Sequence, residues 1–77
     1  MNRPIFLQEL AKGCSAHVEG LSAAGAMRRR LLDIGLVKGA PVTCIGAAPS
    51  GDPRAYLICG AVIAIRNRDA QDVRVTC

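Results

Sequence analysis

Turn signals cut the second half of this 77-residue chain into short apolar runs, and that spacing constrains the fold more than any other feature. Gly39 and Pro41 precede the run Val42 to Ala47. The cluster "PSGDP", Pro49 to Pro53, separates it from "RAYLIC". Gly60 and Ala61 form a tight reversal into "VIAIR", and the polar "NRDAQD", one helical turn at most, leads into "VRVT". Proline, glycine, serine and aspartate punctuate the chain because each presets or tolerates turn geometry. Runs this short, rich in valine and isoleucine, make strands rather than helices.

The first half adds one strand and one helix. "PIFLQELAKG" reads as a single helical turn ending at Gly13, and "CSAHVEGL" as a strand with Ala16 and Val18 inward and His17 and Glu19 outward. Ser22 is the expected N-cap of a helix over "AAGAMRRRLLDI". Met27, Leu31 and Ile34 recur at helical spacing on one face of it. Gly25 weakens the first turn by about 1 kcal/mol relative to alanine. Gly35 supplies the left-handed residue that stops the helix, and Leu36 packs back on it.

Five strands and one helix at these distances suit a small twisted β-barrel with the helix plugging one end. Hydrophobic residues make up 51% and aromatics 3%, so the core has to be aliphatic. The expected core is Val18, Leu31, Leu32, Ile34, Leu36, Val42, Leu57, Ile63, Ile65, Val73 and Val75.

Catalysis finds no support. There is one histidine, no nucleophile–base spacing and no paired carboxylates, so no enzyme and no catalytic residue is expected. Cys14, Cys44, Cys59 and Cys77 lack the close pairs of structural zinc sites, and neither a metal nor a cofactor is expected. Cys44 and Cys59 lie in strand-like runs and are expected as buried, inert thiols; Cys77 is expected to be exposed. The N-terminal residues do not read as a signal peptide and no apolar run nears the roughly 18 to 20 residues of a membrane span, so a cytoplasmic location is expected.

The net charge of +4 is mild for a nucleic-acid binder. Arg28, Arg29 and Arg30 are suited to forked contacts with phosphate or carboxylate, or else form a solvated helix face. Without aromatics to stack on bases, nucleic acid is not an expected partner. "PSGDP" precedes a strand, not a helix, and reads as a turn rather than a phosphate loop.

Taken together, "LLDIGLVKGAPV" and "AAPSGDPRAYLICGAVIAIRNRDAQDVRV" resemble the FeoA family of ferrous iron transport accessory proteins. The resemblance rests on Leu31, Leu32, Gly35 and Gly39, then on Pro49, Gly51, Asp52 and Pro53, then on Ile65, Arg66, Asp69 and Ala70. Lys38 and Ser50 depart from the proline and leucine common at those places. The resemblance implies a mainly β, SH3-like five-stranded barrel over residues 1–77, with one principal helix and short helical turns. It implies a cytoplasmic accessory role with FeoB, a membrane transporter of Fe(II) with a cytoplasmic G-protein part, and membrane association only through that partner. Self-association is left open. Arg28 and Arg29, beside Pro49, Gly51, Asp52 and Pro53, are the expected partner surface. A second reading is a regulatory module like the C-terminal domain of DtxR-type metal-dependent repressors, although these residues hold no DNA-reading helix-turn-helix.

Overall fold

The computed structural model describes residues 4–77. Strand β1, Pro4–Phe6, runs into a 3-10 turn at Leu7–Glu9, and β2 spans Ser15–Leu21. Helix α1 is Gly25–Asp33. Strands β3, Pro41–Ala47, β4, Arg54–Ile58, and β5, Ala61–Ile65, follow. A one-turn helix α2, Asn67–Ala70, leads into β6, Val73–Thr76. The strands form a single sheet in the order β1-β6-β2-β3-β4-β5, with every neighbouring pair antiparallel. No helix among the described residues is long and apolar enough to cross a membrane.

Six strands replace the expected five. The extra one is β1, which the sequence reading merged into a helical turn. Pro4, Ile5 and Phe6 pair with Thr76, Val75 and Arg74, and only Leu7 to Glu9 coil. The chain then turns through Gly13, at φ +85°, where Cys14 N–H bonds the Ala11 carbonyl and Gly13 N–H bonds the Cys44 carbonyl. Gly13 and Cys14 thus oppose Cys44 as a glycine-led bulge, which bends the chain into β2.

The segment before that bend closes the core. Leu7 and Leu10 are fully buried. Tyr56 Oη donates to the Leu7 carbonyl at 3.3 Å, and Arg54 donates to the carbonyls of Gln8 and of Leu10, the latter at 2.7 Å. Burial pushes the Tyr56 phenol above its usual range, although the neighbouring Arg54 guanidinium opposes the shift. These bonds span the sheet from β4, near one end of its strand order, to the segment following β1 at the other.

Helix α1 contributes Leu31 to the core, with Met27 and Ile34 packed against it. Its end follows expectation. Gly35 has φ +108°, Gly35 N–H bonds the Leu32 carbonyl and Leu36 N–H bonds the Leu31 carbonyl. That pair of bonds satisfies the last-turn carbonyls and returns Leu36 to the core. Its start does not follow expectation. Ala24, not Ser22, is the N-cap, and no side chain caps it. Gly25 sits at φ +63°, a conformation only glycine takes readily, so it shapes the helix entry rather than merely weakening it.

The inward positions of the strands carry most of the remaining core: Ala16 and Val18, Val42 and Cys44, Tyr56 and Ile58, Ile65, and Val73 and Val75. Leu57 is a correction. It alternates with Tyr56 and Ile58, so it faces outward at 39% exposure, and the inward aromatic takes its place in the core. Leu32, Ile34 and Ile63 are half-buried. Cys59 is a second correction. It is exposed, because the β4–β5 reversal is Cys59–Gly60 rather than Gly60–Ala61. Both turn residues have positive φ, 50° and 81°, as a two-residue hairpin matched to strand twist requires.

Candidate partner-binding groove

Helical spacing places Met27, Arg30, Leu31 and Ile34 along one side of α1. Across from them run Ile63, Ala64 and Ile65 of β5, then Arg66, and Arg68 and Asp69 of α2. Pro53 joins from the β3–β4 loop. Between these walls lies a groove of about 350 Å³. Its apolar lining is Met27, Ile34 and Ile63, each partly buried against the core. Arg30, Arg66 and Arg68 are exposed around it, with half-buried Asp69 their only acidic neighbour in the lining.

The loop that delivers Pro53 is fixed by side chains. Asp52 Oδ1 accepts the Asn67 backbone N–H at 2.9 Å, and Asn67 Nδ2 donates to the Gly51 carbonyl at 3.2 Å. Ser50 Oγ donates to the Asp52 carbonyl at 2.9 Å, and Ala48 N–H bonds the Pro53 carbonyl. The Asp52–Pro53 peptide is cis. Asn67 Oδ1 is buried without a partner. Asp52 and Gly51 therefore tie the loop to the start of α2, and Pro53 is the loop residue that reaches the groove.

The residues singled out from sequence are thus divided. Pro53 lines the groove; Gly51 and Asp52 hold the loop behind it; Pro49 is exposed on that loop. Arg28 and Arg29 are exposed on α1 but do not line the groove, whereas Arg30 does. Sequence reasoning missed Arg30, Arg66 and Arg68 as a set. Arg30 carried a signal, its one-turn spacing from Met27 and Ile34. Nothing local marks Arg66 and Arg68, which the β4–β5 register and the Asp52–Asn67 tie bring to α1.

Elsewhere, His17 is exposed on β2, opposite Pro41 and Thr76. Cys14, Cys59 and Cys77 are exposed and Cys44 is buried, with its Sγ 3.2 Å from Arg54 Nη2. Among the described residues no three His, Cys, Asp or Glu side chains converge as metal ligands would.

Residues 5–77 match the family model of the FeoA domain. A curated relative, the Fe(2+) transport protein A/Fe(2+) transporter FeoB fusion protein of Porphyromonas gingivalis, is 33% identical over 69 residues. That alignment covers 90% of this chain, which spans 8% of the relative's length. The solution structure of an FeoA-like protein from Clostridium acetobutylicum superposes with a TM-score of 0.88 at 32% identity, covering 97% of this chain and 87% of that one. FeoA from Stenotrophomonas maltophilia, crystallised with zinc and described as a prokaryotic SH3 domain protein, superposes with a TM-score of 0.82 at 32% identity. It covers 92% of this chain and 88% of that one. The sheet and helix described above are therefore an SH3-like fold. A manganese-dependent transcriptional repressor shares the fold alone: TM-score 0.84 at 18% identity, over 97% of this chain and 42% of that one.

Proposed function

The chain belongs to the FeoA family of ferrous iron transport, and from that premise we propose that it is a non-enzymatic accessory protein that binds and modulates a FeoB-type transporter through the transporter's cytoplasmic part. The observation that carries this reading is the P. gingivalis relative, whose name joins transport protein A and transporter FeoB in one polypeptide. Fusion holds two modules at high effective concentration, which favours pairs that work in contact. On this reading the chain acts at the cytoplasmic face of the membrane and reaches it only through the partner.

The contact surface is the exposed arginine side of α1, with Arg28 and Arg29, together with the loop from Pro49 through Gly51 and Asp52 to Pro53. A contact led by exposed arginines is salt-sensitive, since such charges are screened over about 10 Å at 0.1 M. The test is a pull-down of the cognate transporter's cytoplasmic G-protein part, beside Fe(II) uptake in cells that depend on that transporter. Loss of the chain is expected to depress uptake. Arg28→Glu combined with Arg29→Glu is expected to weaken capture while the domain stays folded. Normal uptake in cells lacking the chain defeats the functional reading; full capture by the double variant removes only the arginine side of α1 from the surface.

A further inference from the structure

Strand β5 ends the sheet. It pairs with β4 on one side, and no described strand pairs with the other. The hairpin fixes which groups are left free. In a two-residue hairpin the flanking pair, Ile58 and Ala61, is the hydrogen-bonded kind, and that kind recurs at every second pair. The register then puts Tyr56–Ile63 and Arg54–Ile65 in bonded pairs and Leu57–Val62 and Ala55–Ala64 in non-bonded ones. Val62 and Ala64 thus aim their N–H and C=O groups away from β4. Neither appears in a backbone bond to any turn or loop among the described residues.

An edge of this kind is ordinarily blunted by charge, proline or a bulge. Within Ala61–Ile65 every residue is apolar, and Val62 is 64% exposed. The groove is lined by the successive residues Ile63, Ala64, Ile65 and Arg66. Successive residues of a strand point to alternate faces, so a groove that touches them in a row runs along the strand's edge. Its opposite wall is a helix, and it combines an apolar floor with exposed Arg30, Arg66 and Arg68.

We propose that the groove between α1 and β5 takes an extended acidic segment of a protein partner, which adds to the free edge of β5 as a strand and seats an apolar side chain among Met27, Ile34 and Ile63. Backbone bonds to Val62 and Ala64 supply affinity, alternate side chains enter the groove, and the arginines select carboxylates. The inference deepens the partner reading above but stands on the groove itself. Peptide binding without transporter capture removes the transporter and leaves the groove. Transporter capture without peptide binding does the reverse.

The experiment titrates the full chain with a blocked peptide alternating glutamate and valine, followed by backbone amide spectra and hydrogen exchange. The expected result is slowed exchange at Val62 and Ala64, shifts at Met27 and Ile63, and at least tenfold weaker binding at high salt. Ala64→Pro removes an outward donor without touching the β4 ladder, which edge strands tolerate, and is expected to abolish binding. Arg30→Glu with Arg68→Glu is expected to weaken it at least tenfold, and serves alone if the proline variant does not fold. Arg28→Glu with Arg29→Glu is expected to leave peptide binding within twofold. Equal binding of a lysine–valine peptide, protection confined to residues outside β5, or an oligonucleotide or inorganic phosphate displacing the peptide at equal concentration overturns the proposal.

Discussion

Arg54 Nη2 lies 2.7 Å from the carbonyl oxygen of Leu10, and the same guanidinium also donates to the Gln8 carbonyl. One side chain on β4 thereby satisfies backbone acceptors in the segment that carries Leu7 and Leu10 into the core. Its guanidinium carbon also lies 6.0 Å from the centre of the Tyr56 ring. Replacing it with methionine keeps the aliphatic stem and leaves those acceptors unpaired. Hydrogen bonds to charged groups contribute about 1.5–3 kcal/mol; Arg54 is only partly buried, so water recovers some of that and the expected loss is about 2 kcal/mol. Arg54→Lys is expected to recover less than half, since an ammonium lacks the fork that reaches both carbonyls. Urea denaturation measures both variants, and an unchanged midpoint for Arg54→Met would mean that this fork does not anchor the segment.

Gly35 couples the end of α1 to the β4–β5 hairpin. A Cβ there would sit 2.7 Å from Cys59 Sγ and 3.1 Å from Ile58 Cγ2, on a backbone already at φ +108°. Gly35→Ala meets two independent costs, about 1–2 kcal/mol for the left-handed backbone and a further steric term. The total is expected to exceed about 2 kcal/mol. Adding Cys59→Ala removes the sulfur but not the backbone strain, so it is expected to restore part of the loss and never all of it. Chemical denaturation of the four species in a double-mutant cycle reads this coupling. Strict additivity would separate the helix end from the hairpin tip.

How much of this was legible in the sequence differs by element. Gly35 and Leu36 announced the helix stop because the motif is local. The alternation of Ala16 and Val18 announced the inward face of β2 for the same reason. Leu57 was misplaced because "RAYLIC" is apolar at both periods, and only pairing with β3 and β5 decides that Tyr56 and Ile58 turn inward. Strand β1 was missed because three residues carry too little pattern, and its identity lies in pairing with Val75 at the far end of the chain. The groove is least legible. Arg30 and Arg66 are brought together by topology, and no spacing in the sequence encodes their proximity.

Leu31 is the residue through which α1 enters the core, at 3% exposure. Leu31→Ala deletes buried methyl groups and leaves a cavity under the helix. The expected cost is about 2–5 kcal/mol, a large share of the stability of a domain this size. It also loosens the wall that carries Arg30 and Ile34, so peptide binding at the groove is expected to weaken with it. Thermal melting together with the peptide titration tests both links. A melting temperature within a degree or two of the parent would show that the helix is not held by Leu31.

Tyr56 is the only tyrosine and the chain has no tryptophan, so phenolate absorbance reports this one group without overlap. Burial is the leading cause of its raised pKa in the folded state, relative to the ordinary 10.0. The folded state therefore holds the phenolic proton more tightly than the unfolded one between pH 10 and the raised value. Stability from this group is fully present below pH 10 and falls as pH climbs towards the folded pKa. Tyr56→Phe removes that dependence together with the bond to the Leu7 carbonyl. The parent is thus expected to exceed the phenylalanine variant in stability at neutral pH, by about 1 kcal/mol for one net hydrogen bond, and to lose that advantage in alkali. Urea midpoints at pH 8 and above pH 10, set beside a phenolate titration of the folded parent, measure both. A titration midpoint at or below 10 would place Tyr56 in water and remove it from the contacts that hold Leu7 in the core.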